Sequence, residues 1–111
     1  MATKLTTKAE DKGTYVVTAT FKDEDGNAVT PNWIKWTLTD ERGNVINSRE
    51  DVSVSSPASS IDIILKGDDL KFSDSPKRRL IIRSEYDSSL DDDLPLNSQA
   101  EFEINDIQWI E

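Results

Sequence analysis

Neither cysteine nor histidine occurs anywhere in the 111 residues. Their absence excludes disulfides, thiol nucleophiles, Cys/His zinc sites, imidazole bases and Ser-His-Asp triads. An enzyme would be left with carboxylate, lysine or tyrosine chemistry. Long apolar runs are missing too. None exceeds three residues, the longest being Tyr15-Val16-Val17, Ile63-Ile64-Leu65 and Leu80-Ile81-Ile82. No segment therefore has the length of a membrane-spanning helix. The opening Met-Ala-Thr-Lys-Leu-Thr-Thr-Lys also lacks the apolar stretch of a signal peptide. Synthesis and folding in a cytoplasm are the expectation.

Basic residues disappear after Arg83. Residues 1–84 hold 13 acids and 13 bases, whereas residues 85–111 hold nine acids and no base, which accounts for the whole net charge of −9. A net-acidic chain repels nucleic acid and anionic membranes, so neither is an expected partner. Lys77-Arg78-Arg79 is the one basic cluster and reads as the solvated start of a strand. Crowded acids in the last quarter should repel one another and raise their native pKa values, so mild acidification is expected to stabilise the fold.

The patterning that is present has a period of two. Tyr15, Val17, Ala19 and Phe21 alternate with Val16, Thr18, Thr20 and Lys22. The same alternation places Ile34, Trp36 and Leu38 on one face, as it does Ile61, Ile63 and Leu65. It does so again for Leu80, Ile82, Ser84 and Tyr86, and for Ala100, Phe102 and Ile104. Each run is rich in β-branched and aromatic residues. Strands are predicted over residues 14–22, 33–39, 45–48, 59–66, 78–86 and 99–105, with a further edge strand over 3–9 and no helix. Two turns share one formula, Asp23-Glu-Asp-Gly26-Asn27 and Asp40-Glu-Arg-Gly43-Asn44. In each, Asp accepts backbone N–H groups and Gly supplies the positive φ before the returning strand.

That strand count and order predicts an all-β fold, an immunoglobulin-like β-sandwich of two antiparallel sheets with about seven strands and no disulfide. Residues 1–13 form a loosely held arm or an edge strand, residues 14–106 the sandwich, and residues 107–111 an apolar tail. Trp36, Phe21, Tyr86 and Phe102 are the predicted core aromatics. The last two strands should be neighbours, with Arg79 and Arg83 facing Glu101 and Glu103 across them.

Several segments together resemble a known group of proteins. They are Phe21-Lys-Asp-Glu-Asp-Gly-Asn-Ala-Val-Thr-Pro31, Trp36-Thr-Leu-Thr-Asp-Glu-Arg-Gly-Asn-Val-Ile-Asn-Ser48, Ile63-Ile-Leu-Lys-Gly-Asp-Asp-Leu70 and Tyr86-Asp-Ser-Ser-Leu-Asp-Asp-Asp-Leu-Pro-Leu96. The set is similar to the small immunoglobulin-like or fibronectin-like proteins encoded among the structural genes of tailed bacteriophages. The resemblance implies a non-enzymatic head, neck or tail component, located in the virion and assembled in the host bacterial cytoplasm. Its implied partners are other virion proteins or further copies of itself. It brings no catalytic residues with it.

Candidate sites follow from the pattern. Asp23-x-Asp25-Gly26-Asn27 begins like a calcium loop, but position twelve is Ile34 where an EF-hand needs Glu. Asp87, Asp91, Asp92 and Asp93 form the densest carboxylate cluster and are the weak metal candidates in a loop that otherwise reads as solvated. A glycosidase-type carboxylate pair needs one acid buried with a raised pKa, and nothing in the pattern buries an Asp or Glu. No enzyme activity, cofactor or small-molecule ligand is therefore expected. The interface candidates are Val16 and Ile64, outward-facing on neighbouring strands, Trp33 and Ile81 on the other sheet, and Trp109 and Ile110 in the tail. A carbohydrate-binding or adhesion module, calcium-dependent in one version, is the rival reading, since exposed aromatics and acidic loops would suit it.

Overall fold

The computed structural model describes residues 2–5, 7–72 and 75–105, with residues 2–4 described in backbone only. The chain is all-β. Its strands are β1 (Ala2–Lys4), β2 (Ala9–Glu10), β3 (Thr14–Thr20), β4 (Trp33–Thr39), β5 (Val52–Ser53), β6 (Ser60–Lys66), β7 (Lys77–Tyr86) and β8 (Leu94–Asn105). A 3-10 turn spans Gly67–Leu70. The larger sheet runs β1-β8-β7-β4-β5, with β2 also on β8, and β3 pairs with β6 as a separate two-stranded ribbon.

The expectation of two antiparallel sheets is corrected here. Both β1 and β2 run parallel to β8, so the larger sheet is mixed. The amino-terminal segment is thereby an edge strand of that sheet. Leu5 and Asp11 donate backbone N–H groups to Glu101 and Asn105 of β8.

The two sheets share one core because the period-two faces meet. Tyr15, Val17, Ile63 and Leu65 of the ribbon pack in a cluster with Ile34, Trp36, Leu38, Leu80, Ile82, Phe102 and Ile104 of the larger sheet. Tyr15 stacks on Phe102 with ring centroids 4.4 Å apart, which sets β3 beneath β8. All four expected core aromatics are buried. Tyr86 differs in that its hydroxyl donates to Glu24 at 3.0 Å.

Both shared-formula turns adopt the same bonding. Asp23 Oδ1 accepts the N–H groups of Asp25 and Asn27, and Asp40 Oδ1 those of Arg42 and Asn44. Gly26 and Gly43 take φ values of 83° and 87°, the left-handed region in which a Cβ is strained.

Two strands depart from the sequence reading. Residues 45–48 are not a strand: only Val45 bridges to Thr39. Asn47 and Ser48 have φ of 52° and 57°, and Arg49 N–H donates to Ile46 C=O at 3.0 Å. That is a primed turn, and it moves the edge strand on to Val52–Ser53. In contrast, β8 starts earlier than residue 99, at Leu94. Pro95 is tolerated there because, among the described residues, β1 joins β8 only from Gln99 onward, leaving the proline on an edge where no N–H is needed.

Candidate functional site: an apolar pair and a buried polar core

Ile64 lies directly opposite Val16 in the antiparallel ribbon. Gly67 N–H bonds to Gly13 C=O and Phe21 N–H to Ser59 C=O, so odd-numbered residues form the hydrogen-bonded pairs. Val16 and Ile64 are therefore a non-hydrogen-bonded pair, the type whose side chains approach most closely. They remain 52% and 57% exposed. Around them the face is polar and electroneutral. Thr14 is paired with Lys66 and Thr18 with Asp62, and Thr18 Oγ1 donates to Asp62 at 2.7 Å. Val45 and Leu90 are also exposed, but they sit at opposite ends of the larger sheet and form no patch.

The other candidates are placed differently. Trp33 is half-buried and already engaged: its indole N–H donates to Glu85 at 3.0 Å, and the Lys35 ammonium sits 5.6 Å from the ring centroid. Ile81 is half-buried between Thr37 and Gln99. Trp109 and Ile110 lie outside the described residues.

Asp87, Asp91, Asp92 and Asp93 are all exposed. Asp87 Oδ1 accepts Asp93 N–H at 2.8 Å and the Asn32 amide at 2.9 Å, so it organises its own loop. Among the described residues, the acids that form a group of three with carboxylate oxygens within 4.8 Å of one another are Asp23, Glu24 and Asp25. Two of these are committed, Asp23 to its turn and Glu24 to the Tyr86 hydroxyl.

The basic cluster divides. Arg79 pairs with Glu101 at 3.2 Å as the register requires, whereas Arg83 pairs with Asp51 at 3.8 Å and Glu103 with Lys8 at 3.7 Å. Lys77, Arg79, Glu101, Glu103 and Glu41 line a depression of about 300 Å³ whose mixed charges favour neither sign of ligand.

Arg78 is the correction: it is not solvated but 1% exposed. Its Nε donates to Asp69 C=O, Nη1 to Ser75 and Lys77 C=O, and Nη2 to Lys71 C=O, at 2.7–2.9 Å. One planar guanidinium thus closes the loop between the 3-10 turn and β7.

Asp69 is the second correction, a carboxylate with 0% exposure. Its Oδ1 accepts Asn47 Nδ2 at 2.8 Å and Arg49 Nε at 2.9 Å, and its Oδ2 accepts Lys66 N–H at 3.1 Å. The primed turn at Asn47-Ser48 aims Asn47 and Arg49 into this position. Sequence spacing gave one signal for these two residues. Arg78 shares the parity of Leu80 and Ile82, so the strand pattern itself points it inward.

Burial alone would raise the Asp69 pKa, but Arg49, Asn47 and the Lys66 N–H outweigh it and hold the carboxyl below its ordinary value. Asp40 is lowered by its bonds from Asn44 and Arg42. Asp87 is lowered by the Asp93 N–H and the Asn32 amide. A depressed folded pKa contributes stability above the unfolded value, about 3.9, and that stability is lost as pH falls through the folded pKa. This opposes the acid-stabilisation expected from crowding. Urea midpoints should be level from pH 7 to about 5 and fall below about pH 4. Midpoints that rise between pH 7 and 5 would refute this.

Comparison of the chain with protein families, with curated protein sequences and with solved structures returned no match.

Proposed function

We propose that this chain is an immunoglobulin-like β-sandwich that acts as a non-enzymatic structural or accessory component of a bacteriophage virion, working through protein–protein contacts. The observation that carries the contact reading is the Val16–Ile64 pair, juxtaposed at the centre of an electroneutral face on a molecule of net charge −9. On such a face a partner meets no net repulsion. The virion assignment rests on the resemblance of the turn and strand segments to phage-encoded domains.

Asp69, the fully buried carboxylate among the described residues, is held ionised by its donors. A general acid needs the opposite shift, so Asp69 supports a structural role. The sugar-binding rival loses support from Trp33, whose N–H and ring face are both already engaged.

Covering the exposed halves of Val16 and Ile64 is worth about 2–3 kcal/mol. Micromolar association needs about 8 kcal/mol, so the pair marks a contact without completing it. The test is the double variant Val16→Ser/Ile64→Ser. Both residues face solvent, so the melting temperature should shift by only a few degrees, while association or incorporation into purified particles is lost. Unchanged incorporation would overturn the contact reading. Absence of the protein from purified particles would overturn the virion assignment.

A further inference from the structure

The larger sheet extends past the two-stranded ribbon on the β8 side. Tyr15 stacks on Phe102, so β3 lies under β8, yet the larger sheet continues past β8 as β1 and β2. Among the described residues β3 pairs only with β6. Because the odd residues bond to β6, the N–H and C=O groups of Val16 and Thr18 point to the opposite, open edge. Natural edge strands are usually blunted by charge, proline or a bulge. The segment Thr14–Thr20, Thr-Tyr-Val-Val-Thr-Ala-Thr, has no charge and no proline. The outer edge of β6 is blunted instead, since Asp62 and Lys66 put charge on that strand and the Asp69 carboxylate caps the Lys66 N–H.

We propose that this open edge of β3 receives residues 106–111 of a second copy of the chain as an added strand. The inference deepens the proposed contact function and rests on it. The segment Asp106-Ile-Gln-Trp-Ile-Glu111 has apolar residues on both faces: Ile107 and Trp109 on one, Ile110 on the other. A strand laid on a surface buries one face only. A strand added to β3 uses both, because its inner face meets the core edge and its outer face continues the Val16–Ile64 row. Antiparallel to β3 with Ile110 opposite Val16, Trp109 falls beside Val17 and Ile107 beside Ala19, which is half-buried. Main-chain hydrogen bonds supply the binding that the apolar pair alone lacks.

The donor is a neighbour because the reach within one chain is too short. Asn105 lies beside Asp11, at the Thr14 end of β3. In this antiparallel register Ile107 lies beside Ala19, yet it is two residues past Asn105, a reach of at most about 7 Å. Ala19 is five residues from Thr14, about 17 Å farther along β3. Head-to-tail donation builds rings or open chains, and reciprocal donation closes a two-fold dimer.

The experiment compares the full chain with a form lacking residues 107–111 and with Trp109→Ser/Ile110→Ser, by sedimentation over a concentration series. The full chain should self-associate, as a dimer or larger, and both variants should weaken association at least tenfold. A synthetic peptide of residues 105–111 added to the isotope-labelled truncated chain should shift the Val16 and Thr18 amides and slow their exchange. A monomeric full chain that melts lower when truncated would place the segment on its own sandwich and overturn the proposal. Association untouched by truncation but lost in Val16→Ser/Ile64→Ser would overturn the strand donor and leave the contact reading standing. Association unaffected by either change, or no association at all with no peptide shift, would overturn the proposal as well.

Discussion

Replacing Arg78 with alanine is expected to destabilise the fold by about 3–5 kcal/mol, because several carbonyls lose their donor together. The guanidinium satisfies the carbonyls of Asp69, Lys71, Ser75 and Lys77 at once. Each buried carbonyl left without a donor costs about 1–3 kcal/mol, and water entering the space would recover part of that. A domain of this size has only about 5–15 kcal/mol in total, so the variant should be marginal at room temperature. Arg78→Lys should recover less than half of the loss, because an ammonium is a point charge with three donors and cannot span the fork. Urea denaturation is the measurement, with the midpoint falling and the slope unchanged. A loss under 1 kcal/mol for Arg78→Ala would show that the loop from Gly67 to Ser75 does not depend on this side chain.

Phe102→Ala should cost a similar amount, about 3–5 kcal/mol, by a different cause. The ring is fully enclosed between the two sheets. Its removal takes away transfer energy and leaves a cavity. It also removes the stack on Tyr15, worth a further ~0.5–1.5 kcal/mol within that range. The melting temperature should fall by roughly 12–20 °C for a chain of this length. Tyr15 links this contact to the amino-terminal segment, since its hydroxyl donates to Thr7 C=O at 2.6 Å. The amides of Leu5 and Asp11, which bond to β8, should therefore lose hydrogen-exchange protection before those of β4. A variant that melts within 3 °C of the parent, or that loses protection uniformly, would contradict this picture of the core.

The chain's period-two alternation was enough to place β3, β4, β6 and β7 within two residues of their ends, and it named the core aromatics. Alternation is a local property: it needs only that one face be buried, whatever buries it. The two Asp-Glu-x-Gly-Asn turns were legible for the same reason, because the side-chain acceptor and the positive-φ glycine act within five residues. The outward parity of Val16 and Ile64 was likewise fixed by spacing, and their juxtaposition followed once their strands were taken as neighbours.

Tertiary structure decided what spacing cannot encode. Whether an edge strand joins parallel or antiparallel depends on which edge is open, and β8 offered its free edge to β1 and β2. Pro95 reads as a strand breaker until it is seen to lie where β8 has no second neighbour among the described residues. Asp69 has one local donor, the Lys66 N–H. Its side-chain donors come from 20 and 22 residues away in sequence, and only the turn at Asn47-Ser48 brings them to it. Arg78 lies between these cases. Parity turned it inward, but a buried guanidinium is stable only with acceptors around its whole fork. Those acceptors are backbone carbonyls, which every residue carries and no sequence pattern distinguishes.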